Sequence, residues 1–262
     1  MTHVSIENPM RQFAAKLLFL CCGTALIATP ACAQSAGADA SAWALGGGIA
    51  VQQKAYRDID RDVLALPLVS YESKWISASV PTLDLKAYSN ETLSLRLRMR
   101  YANDGYDAKD SSFLRGMRDR KGAVWVGGAA LWRPAFANLS AEVLFDGSGH
   151  SEGRRARLQA DRRFSLGAVG LTPRLGAEWV DRKFVNYYYG VRVDEVRAGR
   201  SFYQGDASTN IEAGLRLDYS LAPRQTVFLD VRATRFGSAV KDSPLIEKSA
   251  QTGVSLGYLY RF

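Results

Sequence analysis

From Leu93 to Tyr101 apolar and polar side chains alternate without a slip. Leu93, Leu95, Leu97, Met99 and Tyr101 share one side, and Ser94, Arg96, Arg98 and Arg100 share the other. A period of two belongs to a β-strand with two unlike faces. The same period returns along the chain: Val169, Leu171, Leu175, Ala177 and Trp179 oppose Thr172, Arg174 and Glu178. Ile211, Ala213, Leu215, Leu217 and Tyr219 oppose Glu212, Arg216 and Asp218, and Val227, Leu229, Val231 and Ala233 oppose Asp230, Arg232 and Thr234. The last run, Val254, Leu256, Tyr258, Tyr260 and Phe262, opposes Ser255, Gly257 and Arg261. Such runs outlast the usual strand of about 5–6 residues and suit the roughly 9–11 tilted residues that cross a bilayer.

The pattern predicts strands at 43–54, 63–72, 74–80, 82–88, 91–102, 122–132, 136–146, 153–165, 168–180, 209–220, 225–236 and 250–262. Tight connections fall at Glu72-Ser73, Ser89-Asn90, Pro134-Ala135, Gly167 and Ala222-Pro223-Arg224; long ones cover 55–62, 103–121, 147–152, 181–208 and 237–249. Outer-membrane barrels turn tightly in the periplasm and carry long loops outside. Keeping both chain ends periplasmic requires 74–88 to break at Pro81, which gives twelve strands; ten is the alternative, with one hairpin at the rim. The expected fold is therefore all-β: a transmembrane, antiparallel, up-and-down β-barrel with a charged lumen.

Alternation alone does not say which face is inside, since a soluble barrel would reverse it. Trp43, Tyr71, Trp132, Phe145, Trp179 and Tyr219 sit near the ends of apolar stripes, as interfacial girdles require. The polar face is too highly charged for a dry core, where each unpaired ion costs several kcal/mol. The interior then carries Arg96, Arg98, Arg100, Arg155, Arg157, Arg163, Arg174, Arg216, Arg232 and Arg261, faced by Asp84, Glu142, Asp161, Glu178, Glu212, Asp218 and Asp230. Two readings follow: an anion-selective pore or acidic-ligand site, by the logic of charged rings, or a salt-bridged lumen that plugs itself.

Composition narrows this. Arg11 and Lys16, the apolar stretch 17–29 and the A-x-A site at 31–33 read as a secretion signal over 1–33, too short in its apolar core to span a membrane. The small-residue segment 34–42 reads as a flexible periplasmic linker, leaving 43–262 as the barrel. Cys21, Cys22 and Cys32 all lie in the signal, so the mature chain is expected to use no thiol chemistry. Without the signal, 32 basic side chains stand against 25 acidic ones, a balance suited to anionic lipid or acidic polysaccharide. Export argues against nucleic acid.

Order and spacing of several stretches resemble the MipA/OmpV family of outer-membrane proteins (MltA-interacting protein). They are "AYRDIDRDVLALPLVSYES" at 55–73, "MRDRKGAVWVGGAALW" at 117–132, "GLTPRLGAEW" at 170–179, "NYYYGV" at 186–191, "VKDSPLIEKS" at 240–249 and the terminal "YLYRF". The resemblance covers essentially the whole mature chain. It implies a monomeric barrel in outer-membrane lipid and lipopolysaccharide. It also implies a scaffold role toward a lytic transglycosylase and a penicillin-binding protein, with no catalytic residues and no cofactor. The closing stripe Tyr258, Tyr260, Phe262 matches the terminal assembly signal of such barrels.

Other chemistry weighs less. Tyr56, Asp58, Asp60 and Asp62 place oxygens at alternate positions, as Ca²⁺ loops do, but the EF-hand glycine and glutamate are missing and Arg57 and Arg61 intervene. Tyr187, Tyr188, Tyr189 and Arg192 make the long loop an external binding candidate, or else simply pack it over the mouth. His150, with Asp146, Ser148 and Ser151 nearby, lacks G-x-S-x-G spacing, and Ser243 in "KDSPLI" reads as turn structure.

Overall fold

The computed structural model describes residues 41–59 and 61–262. The signal 1–33, the linker as far as residue 40, and Asp60 lie outside the described residues. Strands β1 (Ala42–Gln53), β2 (Asp62–Glu72), β3 (Ile76–Ser79), β4 (Thr82–Ser89), β5 (Leu93–Ala102), β6 (Ala123–Trp132) and β7 (Asn138–Asp146) follow one another as antiparallel neighbours. The ring continues through β8 (Arg154–Asp161), the short β9 (Phe164–Leu166), β10 (Val169–Val180), β11 (Ser208–Ala222), β12 (Gln225–Arg235) and β13 (Ala250–Arg261). β13 pairs back onto β1, from Ala44↔Arg261 to Gln53↔Thr252, and the sheet closes.

The result is a twelve-stranded barrel wall with one extra short strand. The extra strand comes from a break that the alternation did not show. The predicted strand 153–165 is interrupted at Arg162-Arg163, and β8 and β9 both pair with β10. Opposite the break sits Pro173, which has no N–H to give; its carbonyl accepts from Arg162 N–H at 3.4 Å. A proline in a ladder ends regular pairing at that point. Gly167, at φ +60°, makes the tight return into β10 where a side chain would be strained.

Register climbs steeply around the wall. A path along the cross-strand partners runs Ala42, Glu72, Ser77, Asp84, Arg98, Gly127, Leu144, Arg155, Val180, Ser208, from the foot of β1 to the top of β11. That stagger is the strand tilt that barrel closure demands. Outward positions are apolar and exposed, with Leu97 at 61 % and Leu175 at 60 %, whereas Arg96, Arg98 and Arg100 on the other face of β5 are buried. Trp43 and Tyr71 touch at one rim, ring centroids 4.6 Å apart, and Trp132 meets Phe136 at 6.3 Å. No helix among the described residues is long and apolar enough to cross a membrane; the strands are the membrane-facing elements.

The apolar core lies at one end of the barrel. Residues 54–59, 103–122, 181–207 and 236–249 leave the rim opposite the chain ends and pack together there. They hold two short helices, α1 (Arg182–Tyr189) and α2 (Ser238–Lys241), and one 3₁₀ turn at Val193–Glu195. Asp181 caps α1, its carboxylate accepting from Phe184 N–H at 2.9 Å.

Candidate functional site

The lumen is a chain of ion pairs strung across neighbouring strands. Asp84 on β4 accepts from Arg96 at 3.1 Å and from Arg98 at 2.7 and 2.8 Å. Glu142 on β7 accepts from Arg98 at 2.5 Å and Arg100 at 2.6 Å. Farther round, Arg155 donates to Glu178 at 2.6 Å and to Asp104 at 2.9 Å, Arg157 to Glu212 at 2.5 Å, and Arg174 to Asp230 at 2.8 Å. Arg163 and Arg216 share Asp218, at 2.6 and 2.8 Å. Asp161 accepts from Asn138 instead of an arginine. Arg261, at the rim, donates to Thr226 Oγ1 at 3.3 Å. Guanidiniums also lie over buried rings: Arg155 is 5.0 Å from the Trp125 centroid and Arg216 is 3.9 Å from that of Phe228.

Above this network the outer connections interlock. Tyr56 donates to Tyr188 O at 3.2 Å and meets the rings of Tyr106 and Tyr189 at 4.9 and 5.7 Å. Ser243 Oγ donates to Tyr189 O at 2.6 Å, and Arg57 N–H to Leu245 O at 2.9 Å. Ser111 Oγ donates to Arg57 O, and Tyr188 OH to Lys121 O. Arg120 and Glu195 form an ion pair at 2.7 Å, each side chain only 1 % exposed. Burial pushes the Tyr56 phenol well above its ordinary pKa and that of Tyr106 up to about 12. Burial alone would raise Glu195 as well, but the Arg118 and Arg192 backbone N–H groups and the Arg120 guanidinium outweigh it and hold the carboxyl below its usual range. These groups are a cap, held in fixed charge states at neutral pH.

Arg232 has no ion-pair partner among the described residues; the residues singled out beyond the lumen are placed by the cap and the rims. Tyr188 and Tyr189 are buried in the cap, Tyr187 is half-buried with its hydroxyl accepting from Lys121 N–H, and Arg192 is exposed. Asp58 accepts from Ser112 and Asp62 pairs with Lys54, while Asp60 lies outside the described residues. Among the described residues no three His, Cys, Asp or Glu side chains converge as a metal site. His150 Nδ1 is 2.9 Å from Gly122 O, and Asp146 is engaged by Ser148, Ser151 and Glu152 as a loop brace. Tyr258 points outward, and Tyr260 meets Phe262 at 5.0 Å between centroids while Phe262 N–H donates to Trp43 O.

Sequence reasoning missed Asp104, Trp125 and the Arg120–Glu195 pair. Asp104 lies past the end of β5, outside the alternation. Trp125 faces inward on a strand whose other inward residues, Gly127, Ala129 and Leu131, carry no charge to mark the lumen side. No pattern in the sequence couples Arg120 with a residue 75 positions away.

Fold and site together define a class: an outer-membrane β-barrel whose lumen is cross-linked by ion pairs and whose outer mouth is covered by its own loops. The family model described as "MltA-interacting protein MipA" matches residues 45–262, and the chain belongs to that family. The MltA-interacting protein of Escherichia coli K12 is 27 % identical over 225 residues, covering 84 % of this chain and 90 % of that protein. Outer membrane protein OmpV of Vibrio cholerae is 23 % identical over 84 % of this chain and 86 % of its own length. Outer membrane protein Omp26La of Vibrio anguillarum is 24 % identical over 79 % and 81 %. Among solved structures, the NanC porin overlays with a TM-score of 0.43 at 9 % identity, across 83 % of this chain and 98 % of that one. An outer membrane channel from Pseudomonas putida F1 overlays at 0.42 and 12 % identity, across 87 % and 97 %.

Proposed function

We propose that the protein is a non-catalytic scaffold of the outer membrane whose periplasmic rim engages cell-wall enzymes, a lytic transglycosylase and a penicillin-binding protein. The observation that carries this reading is the commitment of the long outer connections to the cap, which leaves the opposite rim as the face for partners. That rim is basic and aromatic. Lys74 and Arg224 are exposed in its turns and Arg162 at the break between β8 and β9, with Trp75 64 % and Phe136 58 % exposed. Aromatic and arginine side chains of this kind anchor protein interfaces. The E. coli relative carries the name of such a partner. Lipid would cover the apolar belt, with lipopolysaccharide against its outer half, and the stripe Tyr258, Tyr260, Phe262 would serve assembly.

A second reading, a narrow porin-like channel or binding barrel for small acidic solutes, draws on the arginines of the lumen. The scaffold reading is tested by surface-immobilising the folded mature protein and titrating a purified lytic transglycosylase over it. Wild type should bind, and Trp75→Ala with Phe136→Ala and Arg162→Ala should weaken binding at least tenfold without changing the heat-dependent gel shift of the folded barrel. Equal binding by the triple variant, or none by wild type, would overturn the assignment.

A further inference from the structure

The lipid-facing side of the wall carries a hollow across β6, β7, β8 and β10. Register brings outward alanines together there: Ala130 pairs with Ala141, Leu158 lies between Ala141 and Ala177, and Ala160 lies between Leu139 and Leu175. The alanines form a floor. Leu158 and Leu175, both more than half exposed, project beside it, and Trp132 borders it toward the periplasmic rim. The hollow measures about 530 Å³, within the roughly 300–1,000 Å³ of sites that hold small molecules. Ser140 and Gln159 also border it, but by the alternation of the strands their side chains point into the lumen, where Gln159 donates to Asp161. No carboxylate borders it. Its surface is therefore apolar.

A cation stands at its foot. Asp161 and Arg163 face the lumen, where Asp161 accepts from Asn138 and Arg163 donates to Asp218. Arg162 between them therefore faces out, on the same side as Ala160 and one pleat nearer the periplasm. It is exposed, and its guanidinium lies 5.4 Å from the centroid of the outward Phe164 ring. Among the described residues it has no carboxylate within salt-bridge distance. Pro173 opposite accepts from its N–H but has none to return to its carbonyl. Charge on the lipid face of a barrel is destabilising, and guanidinium geometry matches phosphate. An arginine in that position gains most from an anion that is itself anchored in lipid.

We infer that this hollow holds one glycerophospholipid of the periplasmic leaflet, an acyl chain over the alanines and the phosphate on Arg162. A second barrel docked here would have to fill the hollow and also bring an anion to Arg162. A phospholipid does both in one molecule and is already the solvent of this face. The lipid is a bound one, distinct from the exchanging belt around the rest of the wall. The site lies outside the lumen, so it requires neither conductance nor a protein partner. It shares Arg162 with the rim assigned to cell-wall enzymes, and its readout is therefore the hollow itself.

Trp132 supplies a local reporter, because bromine on an acyl chain quenches tryptophan on contact. Refolded 34–262 in neutral detergent is titrated with phosphatidylglycerol brominated on one chain, and the Trp132 signal is the difference between wild type and Trp132→Phe. That signal should saturate at one lipid per barrel. Unbrominated phosphatidylglycerol should reverse it, and the diacylglycerol with the same chains should do so at least tenfold less well. Arg162→Gln should weaken binding at least tenfold and Arg162→Lys only a few-fold. Ala141→Phe with Ala160→Phe should fill the hollow and abolish saturation, with the gel shift checking that each variant is folded. Quenching that only rises in proportion to lipid, equal reversal by phospholipid and diacylglycerol, or unchanged affinity in folded Arg162→Gln would each overturn the proposal. So would a dimer in sedimentation that shields Trp132 from lipid. The phospholipid–diacylglycerol comparison needs no change at Arg162 or the alanines and decides the matter even where those variants fail to fold.

Discussion

Changing Glu142 to Ala should cost the barrel about 3–5 kcal/mol, the usual penalty for stripping one partner from a buried ion pair. Glu142 is the carboxylate that Arg98 and Arg100 share, at 2.5 and 2.6 Å, and all three side chains are at most 5 % exposed. Arg98 would keep Asp84, but Arg100 has Glu142 as its ion-pair partner among the described residues and would be left buried and uncompensated. The loss should appear as a lower urea midpoint for the folded, gel-shifted species, with Glu142→Gln falling between the two. Removing all three charges together, as Arg98→Met and Arg100→Met with Glu142→Leu, should recover much of the loss, because replacing a whole buried ionic group by apolar volume is often neutral. An Ala variant as stable as wild type would mean that Glu142 is solvated and that the network does not brace the wall.

Replacing residues 183–205 with a short Gly-Ser linker should turn a silent barrel into a leaky one. That segment supplies Phe184, Val185, Tyr188, Tyr189 and Val191 to the cap core, and it supplies Glu195, the buried partner of Arg120. Without it Tyr56 loses its acceptor on Tyr188 and its ring neighbour Tyr189, and Ser243 loses Tyr189 O. The remaining connections then have no common core. Currents from this variant should favour anions, since Arg232 in the lumen and Arg261 at its rim have no carboxylate partners among the described residues. A shortened protein that folds, shifts on the gel and still passes no current would place the block within the ion-paired lumen and not in the cap.

The wall was legible because its code is local. A lipid-facing strand must expose alternate apolar residues, so Leu93 to Tyr101 announces itself, and the inward placement of Arg96, Arg98 and Arg100 follows from the same period. Pro81 marked the short hairpin for the same reason: the direction of the chain had to reverse somewhere between Ile76 and Ser89. Two local features escaped this logic. Pro173 breaks the neighbouring strand rather than its own, so nothing between Arg154 and Leu166 carries the signal. Pro67 sits inside an uninterrupted apolar run and reads as ordinary strand, although β3 pairs with β2 only at Ser70–Glu72 and leaves the Pro67 side of that strand without a ladder.

Of the cap, the sequence offered only the packing of Tyr187, Tyr188 and Tyr189 over the mouth as one of two readings, because its core is assembled from distant pieces. Tyr56, Tyr106, Tyr189 and Phe236 come from four different connections, and each alone reads as a surface aromatic. Partners within the lumen were hidden for a related reason. Register decides that Glu142 meets Arg98 and Arg100 rather than Arg155, and register depends on the accumulated stagger of the intervening strands. Most charged residues of the lumen were visible in the sequence; Asp104, Trp125 and the pairings required the closed barrel.

The most direct measurement is single-channel conductance of refolded 34–262 in a planar bilayer, on protein whose heat-dependent gel shift confirms the folded barrel. A barrel capped by its own loops and cross-linked by arginine–carboxylate pairs should leave the membrane silent across the usual voltage range. A steady, anion-preferring current from the intact protein would contradict that account and make the arginine-lined lumen a conduit.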